Sequence, residues 1–357
     1  MDRLLGLLHH NKVPLLAINH QQGPLQNALC ANPAFQAAQA AERSHYESLR
    51  QEYRAAQALW RQEGIEDVLI KSAGIFPSFP YKTSNLDALV RQCDGNRARQ
   101  ILRANGYVEL RNVEENHKFL FRKFHQGEEV LGLHVHEHVG WYASFLDEAS
   151  LWERRRPAPD DETLTIPSPE DALLITIAHS FYEDKNIKLS DLAKVHYCLR
   201  QKLDWAYIFQ VAENRDWLDG LYVALLIYAH LGQAWYGQTP TPPSILTHAE
   251  SSLPYYVRRW LARYLHRELL QMPFRIPFIF SKYYFYKRLW CNRRKGLAGR
   301  VADLFIHTLQ GTKLRLHLHS QPAMLVSFSG IDGSGKTSQA LTLQKVFIGC
   351  HIRVRYV

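Results

Sequence analysis

The sequence predicts an α+β N-terminal domain, a helical middle region and, at the C-terminal end, an incomplete α/β fragment. Three observations support this. Short β-prone runs alternate with helical segments before residue 155, and apolar residues recur at helical spacing from 168 to 310. A glycine-rich loop then lies between an apolar run and a helical segment. We therefore expect four segments, with boundaries at 1–65, 66–155, 168–310 and 323–357.

The composition is that of a globular protein: 46% of the 357 residues are hydrophobic and 22% are charged. This excludes a disulfide scaffold and a largely disordered chain. Five scattered cysteines without a C-x-x-C pair favour a reducing compartment. No apolar run reaches the ~18 residues of a membrane span, so we expect a cytoplasmic protein without a transmembrane segment.

The N-terminal helical segment, 1–65, contains a predicted long helix from Pro33 to Arg61, where helix-favouring residues recur at helical spacing. The α+β domain, 66–155, follows it. Its predicted helix runs from Asn96 to Asn105 and ends at Gly106. Its predicted strands cover 68–70, 86–90, 117–124 and 130–138, the last two joined by a Gln126-Gly127 turn.

The middle region follows a polar, proline-bearing linker, 156–167, and begins with Ser168 as N-cap. Helices are predicted over 169–182, 190–201, 204–213 and 217–235. The tract 255–295 then mixes aromatic and basic residues. It permits weak contact with a membrane surface or stacking on bases. The alternative is amphipathic helices with aromatic cores and basic surfaces. We expect no specific nucleic-acid binding.

Charge is unevenly distributed along the chain. From residue 251 onward there are 18 Lys/Arg and 3 Asp/Glu, which gives 18 − 3 = +15, although the whole chain carries +9. Such a basic region fits either an anionic partner or a solvated surface that flanks an ATP site.

The C-terminal segment carries a P-loop motif, G-x-x-x-x-G-K-T, from Gly330 to Thr337. The apolar run 324–328 predicts the preceding strand, 339–348 the following helix, and 352–356 a second strand. Glycines let backbone N–H groups converge on phosphate oxygens, and the helix N-terminus favours the same anion. The expected cofactors are ATP and Mg²⁺. The predicted binding residues are Gly330, Asp332, Gly333, Ser334, Gly335, Lys336, Thr337 and Ser338.

Three of these residues have predicted roles in phosphoryl transfer. Lys336 is expected to act as a catalytic cation on the β- and γ-phosphates, and Thr337 to ligate Mg²⁺ through its hydroxyl. The sequence from Phe328 to Thr337 resembles the start of the thymidylate kinase family. That resemblance implies ATP as phosphoryl donor and a nucleotide or other small phosphate acceptor, with Asp332 as a catalytic residue near the acceptor. The family usually has an acidic residue where this chain has Ser329.

The thymidylate kinase resemblance covers only about 35 residues, and such a kinase needs further strands, an acceptor site and lid arginines. The expectation is a larger protein cut short.

Residues 68 to 200 resemble a second family, the uncharacterised nucleotidyltransferase-like proteins of the polymerase-β superfamily. The matching features are Leu69-Ile70-Lys71-Ser72, Ser84-Asn85-Leu86-Asp87, Gly106-Tyr107, Leu133-His134-Val135-His136, Pro169-Glu170-Asp171 and Leu189-Ser190-Asp191-Leu192. The resemblance implies two Mg²⁺ ions held by carboxylates on one turn and a neighbouring strand. Here Asp87 is the retained catalytic and metal-binding carboxylate. Asn85 stands where the other carboxylate of the turn is expected. Gly132, His134 and His136 lie on the strand face where the third carboxylate is expected.

Histidines alternate on the last predicted strand of this domain: His134, His136 and His138. With Asp87 they are candidates for a softer metal site, because imidazole suits transition metals better than Mg²⁺. The alternative is a set of hydrogen-bonded histidines. His179, on an apolar helix, is expected to be a hydrogen-bonded core residue.

Three functions follow from these patterns. The first is ATP-dependent phosphorylation by the P-loop segment, fused to a nucleotidyltransferase-like domain with a degenerate metal site. The second is active nucleotidyl transfer through Asp87. The third is non-catalytic, with the N-terminal domain binding a nucleotide or serving as a scaffold.

Overall fold

The structure is a computed structural model of the chain. It describes residues 1–20, 23–71, 85–110, 112, 117–141, 143–159, 161–267, 271–292, 295–315, 326–329, 334–350, 352 and 354. Within these residues the chain forms two compact units. Unit 1 comprises the described parts of Met1–Arg43, Val68–Thr83 and His138–Leu304. Unit 2 comprises those of Ser44–Asp67, Ser84–Glu137 and Phe305–Val357.

Helices dominate the described chain, as the spacing of its apolar residues predicts. They are α1 (Asp2–His10), α2 (Pro24–Cys30), α3 (Pro33–Gln62), α4 (Gly95–Ala104), α5 (Glu148–Arg154), α6 (Pro169–Ala178), α7 (Leu189–Leu199), α8 (Trp205–Asn214), α9 (Leu218–Tyr236), α10 (Pro243–Ser252), α11 (Tyr255–Arg267), α12 (Phe278–Cys291), α13 (Leu297–Arg315) and α14 (Lys336–Gly349). Short 3₁₀ segments cover Leu15–His20 and Gln92–Asp94, and a π-helical turn, His179–Asp184, extends α6.

The strands are mostly short. They are β1 (Asp67–Ile70), β2 (Leu86–Val90), β3 (Val108–Leu110), β4 (Lys118–His125), β5 (Glu128–His136), β6 (Gly140–Trp141), β7 (Ala143–Ser144), β8 (Arg156–Ala158), β9 (Asp161–Ile166), β10 (Asn186–Ile187) and β11 (Phe274–Arg275). The predicted strands of the α+β domain are thereby confirmed.

Unit 2 contains the sheet that carries Asp87. In it β2, β5, β4 and β3 are neighbours in this order, with β2 parallel to β5 and the other pairs antiparallel. The predicted turn between β4 and β5 is present, with φ values of 51° at Gln126 and 83° at Gly127. Positive φ at both central residues matches the right-handed twist of the strands, which explains the glycine.

The second half of α3 belongs to unit 2 and is held there by a polar anchor. The Tyr53 hydroxyl donates to Asp67 Oδ2 at 2.5 Å, and Gln57 Nε2 lies 3.0 Å from Asp67 Oδ1. Trp60 donates its indole N–H to the Ala98 carbonyl at 3.3 Å. All of these side chains are buried. The long helix predicted from Pro33 is therefore confirmed, and its C-terminal half is fixed to the start of β1 and to α4.

Unit 1 is mainly helical, and α6, α7, α8 and α9 confirm the helices predicted in the middle region. Ser168 caps α6 as expected, its Oγ accepting the Asp171 N–H at 3.2 Å. The interpretation of 156–167 as a linker is wrong: β8 and β9 pair as an antiparallel hairpin. The prolines lie where they remove few ladder hydrogen bonds, namely beside the bulge at Pro157 and in the turn.

The basic aromatic tract forms α11 and α12, and their surfaces differ from the expected separation of aromatic core and basic exterior. Arg288 is buried, with its guanidinium 3.8 Å above the Phe145 ring, and its Nε donates to the Arg215 carbonyl at 2.9 Å. Several aromatic side chains of the tract are instead exposed. No helix in the described ranges combines the length and the apolar character that a membrane crossing needs.

The C-terminal end of the described chain contains α14, which confirms the helix predicted after the glycine-rich loop. It packs on the β4–β5 hairpin: Lys345 Nζ lies 2.8 Å from Glu128 Oε1, and a Cβ at Gly349 would lie 2.9 Å from the Phe124 ring. The sequence predicts strands over 324–328 and 352–356. The described residues of these segments and their neighbour, 326–329, 352 and 354, are not in strands.

Candidate metal site

The parallel pairing of β2 with β5 brings three candidate ligands to one face of the sheet. Asp87 is in register with His134, and Leu89 with His136. Because side chains alternate along a strand, the Asp87 carboxylate shares a face with both imidazoles. The opposite face carries apolar residues, among them Leu133 and Val135, which are fully buried. The alternation predicted for β5 is confirmed.

The three side chains meet at one carboxylate oxygen. Asp87 Oδ1 lies 2.8 Å from His136 Nε2 and 3.4 Å from His134 Nδ1. One ligand atom from each residue lies within 4.8 Å of the others. Asp87 and His136 are buried, whereas the His134 side chain is 14% exposed. The inner side of the cluster is therefore buried, and His134 is its most exposed member.

Asn85 supplies a fourth polar group beside this cluster. Its Nδ2 lies 3.0 Å from His134 Nδ1 and 3.4 Å from Asp87 Oδ2. Rotation of the amide by half a turn exchanges its nitrogen and oxygen, so Oδ1 can take this position and serve as a ligand. The sequence identifies Asn85 only as a lost carboxylate. The structure shows that the residue still lines the same site.

These donors do not fit the pair of Mg²⁺ ions that the polymerase-β resemblance implies. Mg²⁺ requires oxygen ligands, and bridging two such ions takes several carboxylates. Among the described residues, the cluster contains a single carboxylate, that of Asp87, and two imidazoles. One carboxylate with two imidazoles is instead a donor set for a single divalent transition metal such as Zn²⁺ or Mn²⁺.

Comparison with protein families matches residues 1–233 to the family described as uncharacterised nucleotidyltransferase. The chain belongs to this family. The matched range contains β2 and β5, and therefore the whole Asp87 cluster. It ends before α11, α12 and α14, and the comparison shows no kinase-like segment at the C-terminal end. Comparisons with curated proteins and with solved structures find no match.

Three other candidate residues of this family domain are not members of the Asp87 group formed by the described residues. His138 belongs to unit 1, where its Nδ1 lies 3.4 Å from Glu148 Oε1, so the expected third histidine ligand is not in the group. Lys71 follows β1 with a φ of 60°, and its Nζ lies 3.5 Å from Glu183 Oε2. His179 is half-buried and hydrogen-bonded through Nδ1 to the same Glu183 side chain at 2.6 Å.

The predicted phosphate-binding residues are only partly placed. Gly330, Asp332 and Gly333 lie outside the described residues. Gly335 caps α14 with a φ of 81°, a left-handed conformation that favours glycine. Lys336 begins the helix, followed by Thr337 and Ser338, and Ser334 precedes it. The roles of these residues toward ATP and Mg²⁺ stay predictions.

Proposed function

We propose that the nucleotidyltransferase domain holds a single divalent transition-metal ion through Asp87, His134 and His136. With this ion it transfers a nucleotidyl group from a nucleoside triphosphate. The observation that carries the proposal is the convergence of these three side chains on Asp87 Oδ1, inside the range that matches the family. This activity is the second function considered from the sequence, with histidines replacing the missing carboxylates.

The burial of the cluster determines what each residue contributes. His136 and Asp87 are buried and hydrogen-bonded to each other, so both ligand atoms already lie close together, and a bound ion would replace the hydrogen bond between them. His134 lies at the solvent side, where triphosphate oxygens are able to approach. Three or four protein donors leave coordination positions for such oxygens. A bound divalent ion would supply positive charge to the phosphate at which substitution occurs.

The test is incubation of the full chain with nucleoside triphosphates labelled at the α-phosphate, in the presence of Mn²⁺, Zn²⁺ or Mg²⁺. Label transfer to an acceptor is expected with a transition metal and is expected to fall more than about 100-fold in Asp87→Ala. The matched control is Asp94→Ala, because the Asp94 side chain makes no capping hydrogen bond at α4. Equal turnover by Asp87→Ala would exclude the proposal. Nucleotide binding without product would support a non-catalytic binding domain instead.

A second candidate function is ATP-dependent phosphorylation by the C-terminal segment, with ATP and Mg²⁺ as cofactors. Its support is the motif from Gly330 to Thr337 together with the start of α14 at Lys336 after a left-handed Gly335. In this proposal Lys336 contacts the β- and γ-phosphates, Thr337 ligates Mg²⁺ and Asp332 lies near a nucleotide or small phosphate acceptor.

Lys336→Ala tests this second candidate, with ATP affinity as the readout. The expected result is loss of ATP binding, because the variant removes the cation from the phosphate cradle. Lys345→Ala is the matched control, since Lys345 lies on the same helix and pairs with an exposed glutamate, Glu128. Unchanged ATP affinity in Lys336→Ala would rule out the site.

A further inference from the structure

Helices α11 and α12 of unit 1 contact each other, and both carry exposed aromatic side chains. Two of their rings are in contact, since the Trp260 and Phe280 centroids lie 3.9 Å apart. Inward-facing residues such as Phe280 and Tyr284 are buried. We call the exposed side the aromatic–basic face, and its large side chains are Tyr255, Tyr256, Trp260, Phe278, Ile279, Tyr283, Tyr286 and Trp290, each 37–68% exposed.

Four exposed side chains of α12 follow helical spacing, which places them on one face. Ile279, Tyr283 and Trp290 lie at intervals of four and seven residues, with Tyr286 beside them. Single exposed apolar residues are ordinary, but a contiguous group of this kind marks an interaction surface. The stripe is on the side opposite the buried residues of α12, and it is presented to solvent.

The charge of the tract selects the kind of partner. Between residues 255 and 295 the chain has 11 Lys/Arg and 1 Asp/Glu, which gives 11 − 1 = +10. Arg259 and Arg263 are exposed on α11. Lys282 on α12 is placed 5.6–5.8 Å from three ring centroids, those of Phe278, Phe285 and Tyr286. Cations interleaved with exposed rings are complementary to a surface that is anionic outside and apolar beneath.

We propose that the aromatic–basic face docks on an anionic lipid surface. Ile279, 63% exposed, favours lipid over nucleic acid, because an aliphatic side chain gains from hydrocarbon but has no stacking role on bases. Phe278, 61% exposed, adds apolar area next to it. Tyrosine and tryptophan prefer the boundary between headgroups and hydrocarbon, where the ring is apolar and the polar atom stays wet. The surrounding arginines and lysines then neutralise lipid phosphates.

The experiment measures binding of the full chain to vesicles by sedimentation. Vesicles of phosphatidylcholine and phosphatidylglycerol in equal amounts are compared with pure phosphatidylcholine and with a single-stranded RNA oligomer. Binding to the anionic vesicles is expected to exceed binding to the neutral vesicles by about tenfold or more and to weaken as salt is raised.

Two variants locate the binding. Phe278→Ser/Ile279→Ser removes the apolar contact at exposed positions, and we expect its binding to fall by at least about tenfold. Arg259→Gln/Arg263→Gln removes two charges and should lose about fivefold per residue. The matched controls are Leu7→Ser, 52% exposed, and Arg43→Gln, also exposed, which should bind as the wild type does. Their far-UV circular dichroism should match that of the wild type.

Absence of binding to anionic vesicles would overturn the proposal, as would equal binding by Phe278→Ser/Ile279→Ser. Binding to the RNA without binding to vesicles would also overturn it and would assign the face to nucleic acid. Metal binding and nucleotidyl transfer are separate readouts, so these outcomes leave the proposed function of the Asp87 cluster unaffected.

Discussion

Removal of the Tyr53 hydroxyl tests the polar anchor between α3 and the start of β1. In the native state Asp67 accepts from Tyr53 at 2.5 Å and from Gln57 at 3.0 Å, and all three side chains are buried. Burial raises the pKa of Asp67 above 3.8, whereas the hydrogen bonds from Tyr53 and Gln57 lower it. Tyr53→Phe deletes one of the two donors and therefore raises this pKa further.

The magnitude depends on the charge of Asp67. A hydrogen bond to an ionised carboxylate contributes about 1.5–3 kcal/mol, and one to a neutral group about 0.5–1.5 kcal/mol. The folded pKa is raised, so the favourable contribution of protonated Asp67 is complete below pH 3.8 and is lost as pH rises through the folded pKa. The destabilisation by Tyr53→Phe should therefore grow with pH in the range above 3.8.

Urea unfolding from about pH 4 to about pH 8 provides the assay, and a loss of about 2 kcal/mol corresponds to a midpoint shift of roughly 1 M. Tyr255→Phe, at a residue 68% exposed, is the control and should change stability by less than about 0.5 kcal/mol. Asp67→Asn should remove the pH dependence of the Tyr53→Phe effect. An effect of Tyr53→Phe that is absent, or that is the same at every pH, would refute this reasoning.

Two further predictions concern the interior of unit 1. A Cβ at Gly220 would lie 1.9 Å from the Tyr182 hydroxyl, so Gly220→Ala should destabilise by about 1–3 kcal/mol. That hydroxyl is buried without a hydrogen-bond partner among the described residues. The double variant Gly220→Ala/Tyr182→Phe should therefore recover part of the stability lost in Gly220→Ala, as measured by thermal denaturation. Strictly additive effects of the two substitutions would contradict this. Arg288→Met leaves two carbonyls without their donor and the Phe145 ring without its cation, and should cost at least about 2 kcal/mol. Lys287→Met, at the exposed neighbour, should cost less than about 1 kcal/mol in the same assay, and equal losses would show that burial is not the cause.

Local sequence patterns predicted the individual elements well where the signal is itself local. The composition from Pro33 to Arg61 predicted α3, the Ser168 cap predicted the start of α6, and Gln126-Gly127 predicted the β4–β5 turn. In each case a few adjacent residues determine the conformation. The β8–β9 hairpin was missed because its prolines gave the segment the composition of a linker.

The site depends on pairing between distant segments, which no local pattern specifies. Alternation along β5 predicted that His134 and His136 share a face, whereas the grouping with Asp87 was predicted from the family resemblance and not from a local pattern. That placement results from the parallel register of β2 with β5, strands that lie about 45 residues apart in sequence and do not follow each other. His138 was grouped with the other histidines because the alternation was continued too far, past the last residue of β5.

The central claim is that Asp87, His134 and His136 hold one divalent transition-metal ion. It is tested by calorimetric titration of the metal-free full chain with Zn²⁺ or Mn²⁺. We predict one equivalent per chain, with affinity reduced more than about 100-fold in His136→Gln and Asp87→Ala. His138→Gln should bind as the wild type does, because His138 contacts Glu148 instead. Absence of binding by the wild type, or equal affinity in His136→Gln, would contradict the claim.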